Sequence, residues 1–409
     1  MSAEFELPIS TFVRQYERFL QIVEEHPDSE GPFENFQSGH AHREEGYKEY
    51  VFHEARRRLA SGTWQKFDIG TGKILRRVLE AVEINEGKDN RNNLVEWDSR
   101  RGEASRSHQK LYLAKEDPAT LKTAEQLFYE FYCEGSSLAE AFGRFVQLLG
   151  KRYDIVSYFF FIRDWDQFMP ARAETFEKAF DLLEIPLRLS HQCSWENYQS
   201  YLRRLRAVQA CLAQVDAPVA RLIDAHSFCW MLARAKGFEQ ERVGEATYIR
   251  IAPEAADFPP RERSSERPAE VVDFERLNLG RQRIGALAQL VVLEAEQRRL
   301  KEGGREDLAA DVKDVSNRPA LGYDIASFTA DGEPKPIEVK AAATRKRGLK
   351  FFLSENELYW STRLKNYTFA LVTGLDSEGP CIHEFPAKEL PPEALRPRNY
   401  EVRVCPSVE

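Results

Sequence analysis

Apolar residues recur at helical spacing through most of the first 240 positions of the chain. Phe12, Tyr16 and Phe19 are separated by three or four residues, which is typical of the buried face of a helix. The same spacing returns over about 120–236, interrupted at prolines, which commonly end helices. The pattern therefore predicts a large, mainly helical N-terminal region over 1–240.

Two stretches of this region have a different pattern. Between about 64 and 97, short apolar runs alternate with glycine and asparagine, so we expect a small strand-containing insert there. The run 156–162 is almost continuously apolar. It predicts either a buried strand or a buried helical turn, because periodicity alone does not separate the two.

A change in composition marks the end of the helical region. Residues 252–270 contain four prolines and eight charged residues, and little in this stretch could be buried. We therefore expect a linker at 241–270 and a second domain at 271–409.

The second domain alternates between helical and strand patterns. A helical pattern ends near Gly303-Gly304, and two β-leaning runs are joined by Asp331-Gly332, a favourable hairpin turn. An α/β domain is expected, with a mixed sheet flanked by helices. The predicted order is a helix at 284–301, strands at 312–316, 323–329 and 337–341, a helix at 354–364 and a strand at 368–373.

Three charged residues of the predicted hairpin form a candidate site for phosphodiester hydrolysis. Alternate residues of a strand share a face, so Glu338 and Lys340 project together while Val339 points to the other side. Asp324 lies one strand earlier, and hairpin pairing can bring it beside Glu338. Two carboxylates suit Mg²⁺, and a neighbouring lysine can orient water or hold a phosphate. A lone Glu-x-Lys is otherwise typical of a solvated strand.

The same residues carry a resemblance to a known family. Residues 322–328 (Gly-Tyr-Asp-Ile-Ala-Ser-Phe), 337–340 (Ile-Glu-Val-Lys) and 351–357 (Phe-Phe-Leu-Ser-Glu-Asn-Glu) resemble the C-terminal domain family of the plant protein NO VEIN. That family is similar to PD-(D/E)xK nucleases. The resemblance implies that Asp324 and Glu338 hold the metal and that Lys340 acts in catalysis.

Two further acids are candidate auxiliary groups. The family commonly has Gly-Glu opening its first helix, whereas this chain has Gly285-Ala286, so Glu294 becomes the candidate helix acid. Glu294 could equally lie on a solvated helix face. Glu357 could assist at the site, or it could serve only in a Ser-x-x-Glu capping box that starts a helix.

A basic run follows the candidate strand and contains no acid. Such runs are usually solvated loops, but a loop leaving a catalytic strand can also contact the phosphate backbone of a nucleic acid. The candidate binding residues are Arg345, Lys346, Arg347 and Lys350.

Composition narrows the protein class. The net charge of −8 argues against a protein that coats nucleic acid non-specifically. The six cysteines form no CxxC pair, and the sequence has neither a signal-peptide pattern nor a long apolar stretch, so we expect a cytoplasmic protein with no membrane contact. Gly70-Thr71-Gly72-Lys73 lacks the first glycine of a phosphate-binding loop, and a turn between short strands is expected instead.

Together these features predict a Mg²⁺-dependent endonuclease, with Mn²⁺ as a possible substitute ion. From the resemblance, DNA is the first expected substrate and RNA the second, in a restriction or antiviral defence setting. The alternatives are a non-cutting nucleic-acid binding module and a scaffold subunit of a multi-protein defence complex. Expected partners include a protein that supplies ATPase activity or specificity, and a second copy of the chain.

Overall fold

The chain divides into two compact units, Met1–Glu241 and Arg242–Glu409. The computed structural model describes residues 7–24, 33–86, 89–96, 106–190, 192–215, 220–234, 246–253, 274–342, 344–345, 348–375 and 379–396, with single positions at 5, 26, 29 and 31.

The first unit is mainly helical, as predicted. Its helices pack through buried apolar residues, and α1 contributes Phe12, Tyr16 and Phe19, all fully buried. The helices are α1 (Ile9–Glu24), α2 (Gly39–Glu45), α3 (Tyr47–Leu59), α4 (Lys73–Val82), α5 (Gln109–Glu116), α6 (Pro118–Tyr129), α7 (Leu138–Leu149), α8 (Tyr153–Arg163), α9 (Ala173–Leu182), α10 (Trp195–Val215) and α11 (Leu222–Arg234).

The stretch 64–97 contains less strand than expected. Its strands β1 (Asn85–Glu86) and β2 (Asp89–Asn90) have two residues each, and its longest element is helix α4, which has ten residues. The glycines that suggested strand boundaries instead start that helix. Gly70 and Gly72 have φ of +86° and +83°, and their N–H groups donate to the buried carboxylate of Glu125 at 2.7 and 3.1 Å.

The run 156–162 is helical and belongs to the core of the first unit. It lies inside α8, and all seven of its side chains are buried. The hydroxyl of Tyr158 donates to the carbonyl of Ala81 at 2.6 Å. Both helix and strand were possible from the sequence, and burial on every side explains why no period was visible.

The second unit is an α/β domain built on a mixed six-stranded sheet with the order β3-β10-β9-β6-β5-β4. Strands β6 and β9 run parallel, as do β3 and β10, while the other neighbours are antiparallel. The strands of the sheet are β3 (Thr247–Arg250), β4 (Lys313–Asp314), β5 (Ile325–Phe328), β6 (Pro334–Ala341), β9 (Thr368–Thr373) and β10 (Cys381–Pro386), and a separate pair is formed by β7 (Thr344–Arg345) and β8 (Gly348–Leu349).

Helices cover both faces of this sheet. The long helix α12 (Phe274–Glu302) packs on β4, β5, β6 and β9, and the short helix α13 (Glu306–Ala309) follows it. On the other face, Trp360 of α14 (Glu355–Ser361) packs on a cluster that includes Phe369 and Phe385. Strand β9 is therefore buried along its whole length, which fits its continuous apolar sequence.

The boundary of the second unit corrects the expected linker. Thr247–Arg250, placed in the linker 241–270 from its sequence, forms an edge strand beside β10. The Tyr248 hydroxyl donates to the buried carboxylate of Glu296 on α12 at 2.6 Å, which anchors the strand. Within the proline-rich stretch 252–270, residues 254–270 lie outside the described residues.

None of the helices in the described part of the chain combines the length and the apolar composition required to cross a membrane.

Candidate active site

The hairpin of β5 and β6 sets the orientation of the candidate residues. It turns at Gly332, whose φ is +86°, as the Asp-Gly pair predicts. Alternation along β6 turns Val339 toward the α12 face and puts Glu338 on the opposite face. In the parallel register with β9, Glu338 lies beside Phe369 and Lys340 beside Leu371.

Asp324 lies opposite Glu338 at the open end of this hairpin. Ile325 pairs with Ile337, so the next cross-strand positions are those of Asp324 and Glu338. The N–H of Asp324 donates to the carbonyl of Ile337 at 3.0 Å, and the N–H of Val339 donates to Oδ2 of Asp324 at 2.9 Å. The structure therefore brings the two carboxylates together on one face.

The ammonium of Lys340 lies between two carboxylates. Its Nζ is 2.6 Å from Oε1 of Glu338 and 3.0 Å from Oε2 of Glu357. The Lys340 side chain is only 22% exposed and that of Glu338 only 3% exposed, so this ion pair is largely shielded from water.

Glu357 forms the predicted capping box and also contacts Lys340 of the candidate site. It completes the capping box of α14: the N–H of Ser354 donates to the Glu357 carboxylate at 2.9 Å, and the Glu357 N–H donates to the Ser354 hydroxyl at 3.2 Å. The same carboxylate holds Lys340. The start of α14 is thereby tied to strand β6.

Tyr367 and Gly322 support the site, and sequence reasoning did not identify Tyr367. The buried Tyr367 hydroxyl donates to the carbonyl of Gly322 at 2.6 Å and lies 3.4 Å from Oε2 of Glu338. Gly322 has φ of +71°, and a Cβ added there would lie 2.1 Å from Cδ1 of Trp360. The tyrosine resembles any core aromatic in the sequence, and only the glycine beside Asp324 offered a signal.

Burial keeps the two hairpin carboxyls from ionising easily, and the charge of Asp324 adds to this effect at Glu338. Burial, together with the charge of Asp324, raises the pKa of Glu338 to about 8, although Lys340 acts in the opposite direction. Burial also raises the pKa of Asp324. When Asp324 and Glu338 are both ionised at high pH, the neighbouring protein groups do not fully compensate their negative charge.

For Lys340 and Glu357, the attraction between opposite charges outweighs the effect of burial on the pKa. Burial alone would lower the pKa of Lys340, but the carboxylates of Glu338 and Glu357 outweigh it and raise that pKa. For Glu357, burial acts to raise the pKa and Lys340 outweighs it, so that this pKa is lowered. Lys340 is therefore protonated at neutral pH.

The raised pKa of Glu338 predicts a loss of stability as pH rises. The folded chain keeps this proton up to about pH 8, whereas the unfolded chain releases it near the ordinary value of 4.5. The folded state thus binds more protons between these values, and the free energy of unfolding falls as pH rises through this window. Glu338→Gln should gain stability over the parent from pH 4.5 to pH 8, by at most about 5 kcal/mol.

Denaturant unfolding at several pH values measures this effect, and Glu333→Gln is a matched control. The pKa of Glu333 is lowered by Lys365, so its replacement should remove stability above its ordinary pKa. Equal pH profiles for the parent and Glu338→Gln would contradict the assignment of a raised pKa to Glu338.

Glu294 does not join Asp324 and Glu338 in a group of three described side chains that could hold an ion. Among the acids of α12 whose side chains are described, Glu296 is the buried one, and it accepts hydrogen bonds from Ser327 at 2.6 Å and Lys335 at 3.0 Å on the face opposite Glu338. Those two partners are three positions nearer to the hairpin turn than Asp324 and Glu338. The sequence could not tell which acid of α12 faces the sheet.

The predicted basic residues are only partly described. The backbone of Arg345 belongs to the strand pair β7–β8, and Lys346 and Arg347 lie outside the described residues. Lys350 is exposed, and its Nζ lies 5.5 Å from the ring centroid of Phe352. Contact of this run with phosphates stays a prediction.

The side chains of the site are compatible with a magnesium ion that takes only a few of its ligands from the protein. Among the described residues, no three His, Cys, Asp or Glu side chains are grouped so as to hold an ion. Asp324 and Glu338 supply two hard oxygen donors, and Mg²⁺ commonly takes one or two carboxylates with water and substrate oxygens. A divalent cation would also relieve the repulsion that raises the pKa of Glu338.

The sequence of this site matches a known family. Residues 288–384 match the family model for the protein NO VEIN, C-terminal. The match covers about a quarter of the chain and includes Asp324, Glu338, Lys340 and Glu357, so the resemblance to the NO VEIN family is confirmed for this segment. No curated protein and no solved structure matches the chain, and residues 1–240 have no assigned family.

Proposed function

We propose that the second unit is a metal-dependent nuclease that hydrolyses phosphodiester bonds, with DNA as the first substrate to test and RNA as the second. The observation that carries this proposal is the placement of the Lys340 ammonium 2.6 Å from Glu338, on the strand end where Asp324 lies opposite. The match of this segment to the NO VEIN family model supports it.

The charges of the site residues suggest a separate role for the carboxylates and for the lysine. Asp324 and Glu338 would hold Mg²⁺ or Mn²⁺, which when bound neutralises phosphate charge and lowers the pKa of coordinated water. Lys340 is held in its protonated form by Glu338 and Glu357, so it donates hydrogen bonds and does not accept a proton. We assign it to a phosphate oxygen or to orientation of the attacking water.

Glu357 and Tyr367 act through these groups. Glu357 fixes the position of the Lys340 ammonium and joins it to the start of α14. Tyr367 holds the carbonyl of Gly322, two residues before Asp324, and its hydroxyl is 3.4 Å from the Glu338 carboxylate. Both are positioning residues in this proposal.

One observation favours a second candidate, a nucleic-acid binding module that does not cut. Among the described residues, no third acid joins Asp324 and Glu338 in a group that could hold a metal ion, and residue 286 is alanine. In that case the protein is a subunit whose partner supplies cutting, specificity or ATPase activity. The proposed restriction or antiviral setting rests on the family resemblance alone.

A cleavage panel separates the two candidates. Supercoiled plasmid, linear duplex, single strands and RNA are incubated with the full chain plus Mg²⁺, Mn²⁺ or chelator. We expect metal-dependent products from the parent and none from Asp324→Asn or Glu338→Gln. Binding without cleavage by the parent in every metal would favour the non-cutting module, and cleavage that persists in chelator would refute the metal-dependent mechanism.

A further inference from the structure

Two exposed aromatic rings flank Glu357 in sequence. Phe352 is 58% exposed and Tyr359 is 48% exposed, and they are the exposed aromatic side chains of the second unit within its described residues. Aromatic rings at this level of exposure make little contact with the core. Both belong to the segment that carries a residue of the candidate site.

A cation accompanies each ring. The guanidinium carbon of Arg363 lies 3.6 Å from the ring centroid of Tyr359, and Nζ of Lys350 lies 5.5 Å from that of Phe352. Both cations are exposed. Flat apolar surface combined with positive charge is complementary to a base and its phosphate.

The position of Tyr359 relative to the site is fixed by its neighbours. Its Cα is about 5.4 Å from that of Glu357, because the two residues are two positions apart in α14, and their side chains leave the helix on different sides. The adjacent Trp360 packs against Gly322, two residues before Asp324. The ring therefore belongs to the segment that borders the candidate site, and a nucleic acid that extends beyond Lys340 along α14 would meet it.

We infer that Tyr359 and Phe352 stack on unpaired bases, so that the substrate class of this site is single-stranded or locally unpaired nucleic acid. The inference rests on the proposed function and narrows it. In a duplex each base face is covered by the neighbouring pair, and only unpaired, flipped or terminal bases offer a face to a ring. The cations on both rings favour a polyanion over an apolar protein surface.

The test measures binding in chelator, where cleavage does not interfere. The full chain is titrated with a single-stranded oligonucleotide and with the fully paired duplex of the same sequence. Tyr359→Ala should weaken single-strand binding about tenfold and leave duplex binding unchanged, whereas Tyr359→Phe should retain binding because it keeps the ring. Phe67→Ala is the matched control, since Phe67 is a 78% exposed ring in the first unit.

A base analogue whose fluorescence is quenched by stacking supplies a second readout. The parent should quench it and Tyr359→Ala should not. Unchanged single-strand affinity in Tyr359→Ala, or equal weakening for single strand and duplex, would overturn the inference. A change only in the oligomeric state of that variant would also overturn it and assign the ring to protein contact. Because no metal is present, these outcomes are independent of whether the chain cuts.

Discussion

Replacing Lys340 by Ala should reduce metal-dependent cleavage at least about 100-fold, because the variant lacks the cation placed to stabilise charge that develops on the phosphate. The measurement is the single-turnover rate on the substrate that the parent cuts best. Loss of the rate at saturating substrate is expected, since the interaction is strongest in the transition state.

The same change should also lower stability. Lys340 compensates the carboxylates of Glu338 and Glu357, and its removal leaves two acids facing each other in a shielded site. We expect the free energy of unfolding to fall by about 1–3 kcal/mol. The loss should be larger at pH 8 than at pH 6, since a larger fraction of Glu338 is then ionised.

Lys335→Ala separates catalysis from stability. Lys335 lies on the same strand but on the opposite face, where its Nζ is 3.0 Å from Glu296 and 3.1 Å from Glu384. Its removal also breaks two ion pairs, so it should destabilise the domain while the folded fraction cuts at the parental rate. Equal cleavage by Lys340→Ala and the parent would remove Lys340 from the mechanism.

The sequence predicted the parts of this site that depend on local pattern. The Asp-Gly turn and the alternation of Glu338 and Lys340 follow from short-range geometry, and the strand at 368–373 was placed at the bounds that the structure has. The capping box of Ser354 and Glu357 was predicted because that motif has a fixed spacing. Each of these predictions uses residues less than about ten positions apart.

The parts that were missed depend on contacts between distant segments. Thr247–Arg250 is a strand only because β10 offers it an edge, more than a hundred residues later in the chain. Glu296, and not Glu294, is buried because the Tyr248 hydroxyl and Lys335 meet it there. Tyr367 reaches Gly322 across the sheet for the same kind of reason. No local pattern encodes these pairings.

Gly322→Ala should be the most destabilising single-methyl addition near the site. The glycine has φ of +71°, which costs a residue with a Cβ about 1 kcal/mol or more. The new methyl would also lie 2.1 Å from Cδ1 and 2.7 Å from Cγ of Trp360, so the indole or the backbone must move. Overpacking of this kind adds about 1–3 kcal/mol, and the total loss should reach about 2–4 kcal/mol.

The displacement should also impair the site. Trp360 is three residues from Glu357 in α14, and Gly322 is two residues from Asp324, so pushing them apart moves the Glu357 carboxylate away from Lys340. Gly332→Ala is the matched control: its φ is +86°, but the nearest atom to an added Cβ is 3.6 Å away. In denaturant unfolding, Gly332→Ala should lose only the free energy that the positive φ costs a residue with a Cβ. Its cleavage should be unchanged. If the two variants unfold at the same denaturant concentration, the contact between Gly322 and Trp360 does not hold α14 against the site.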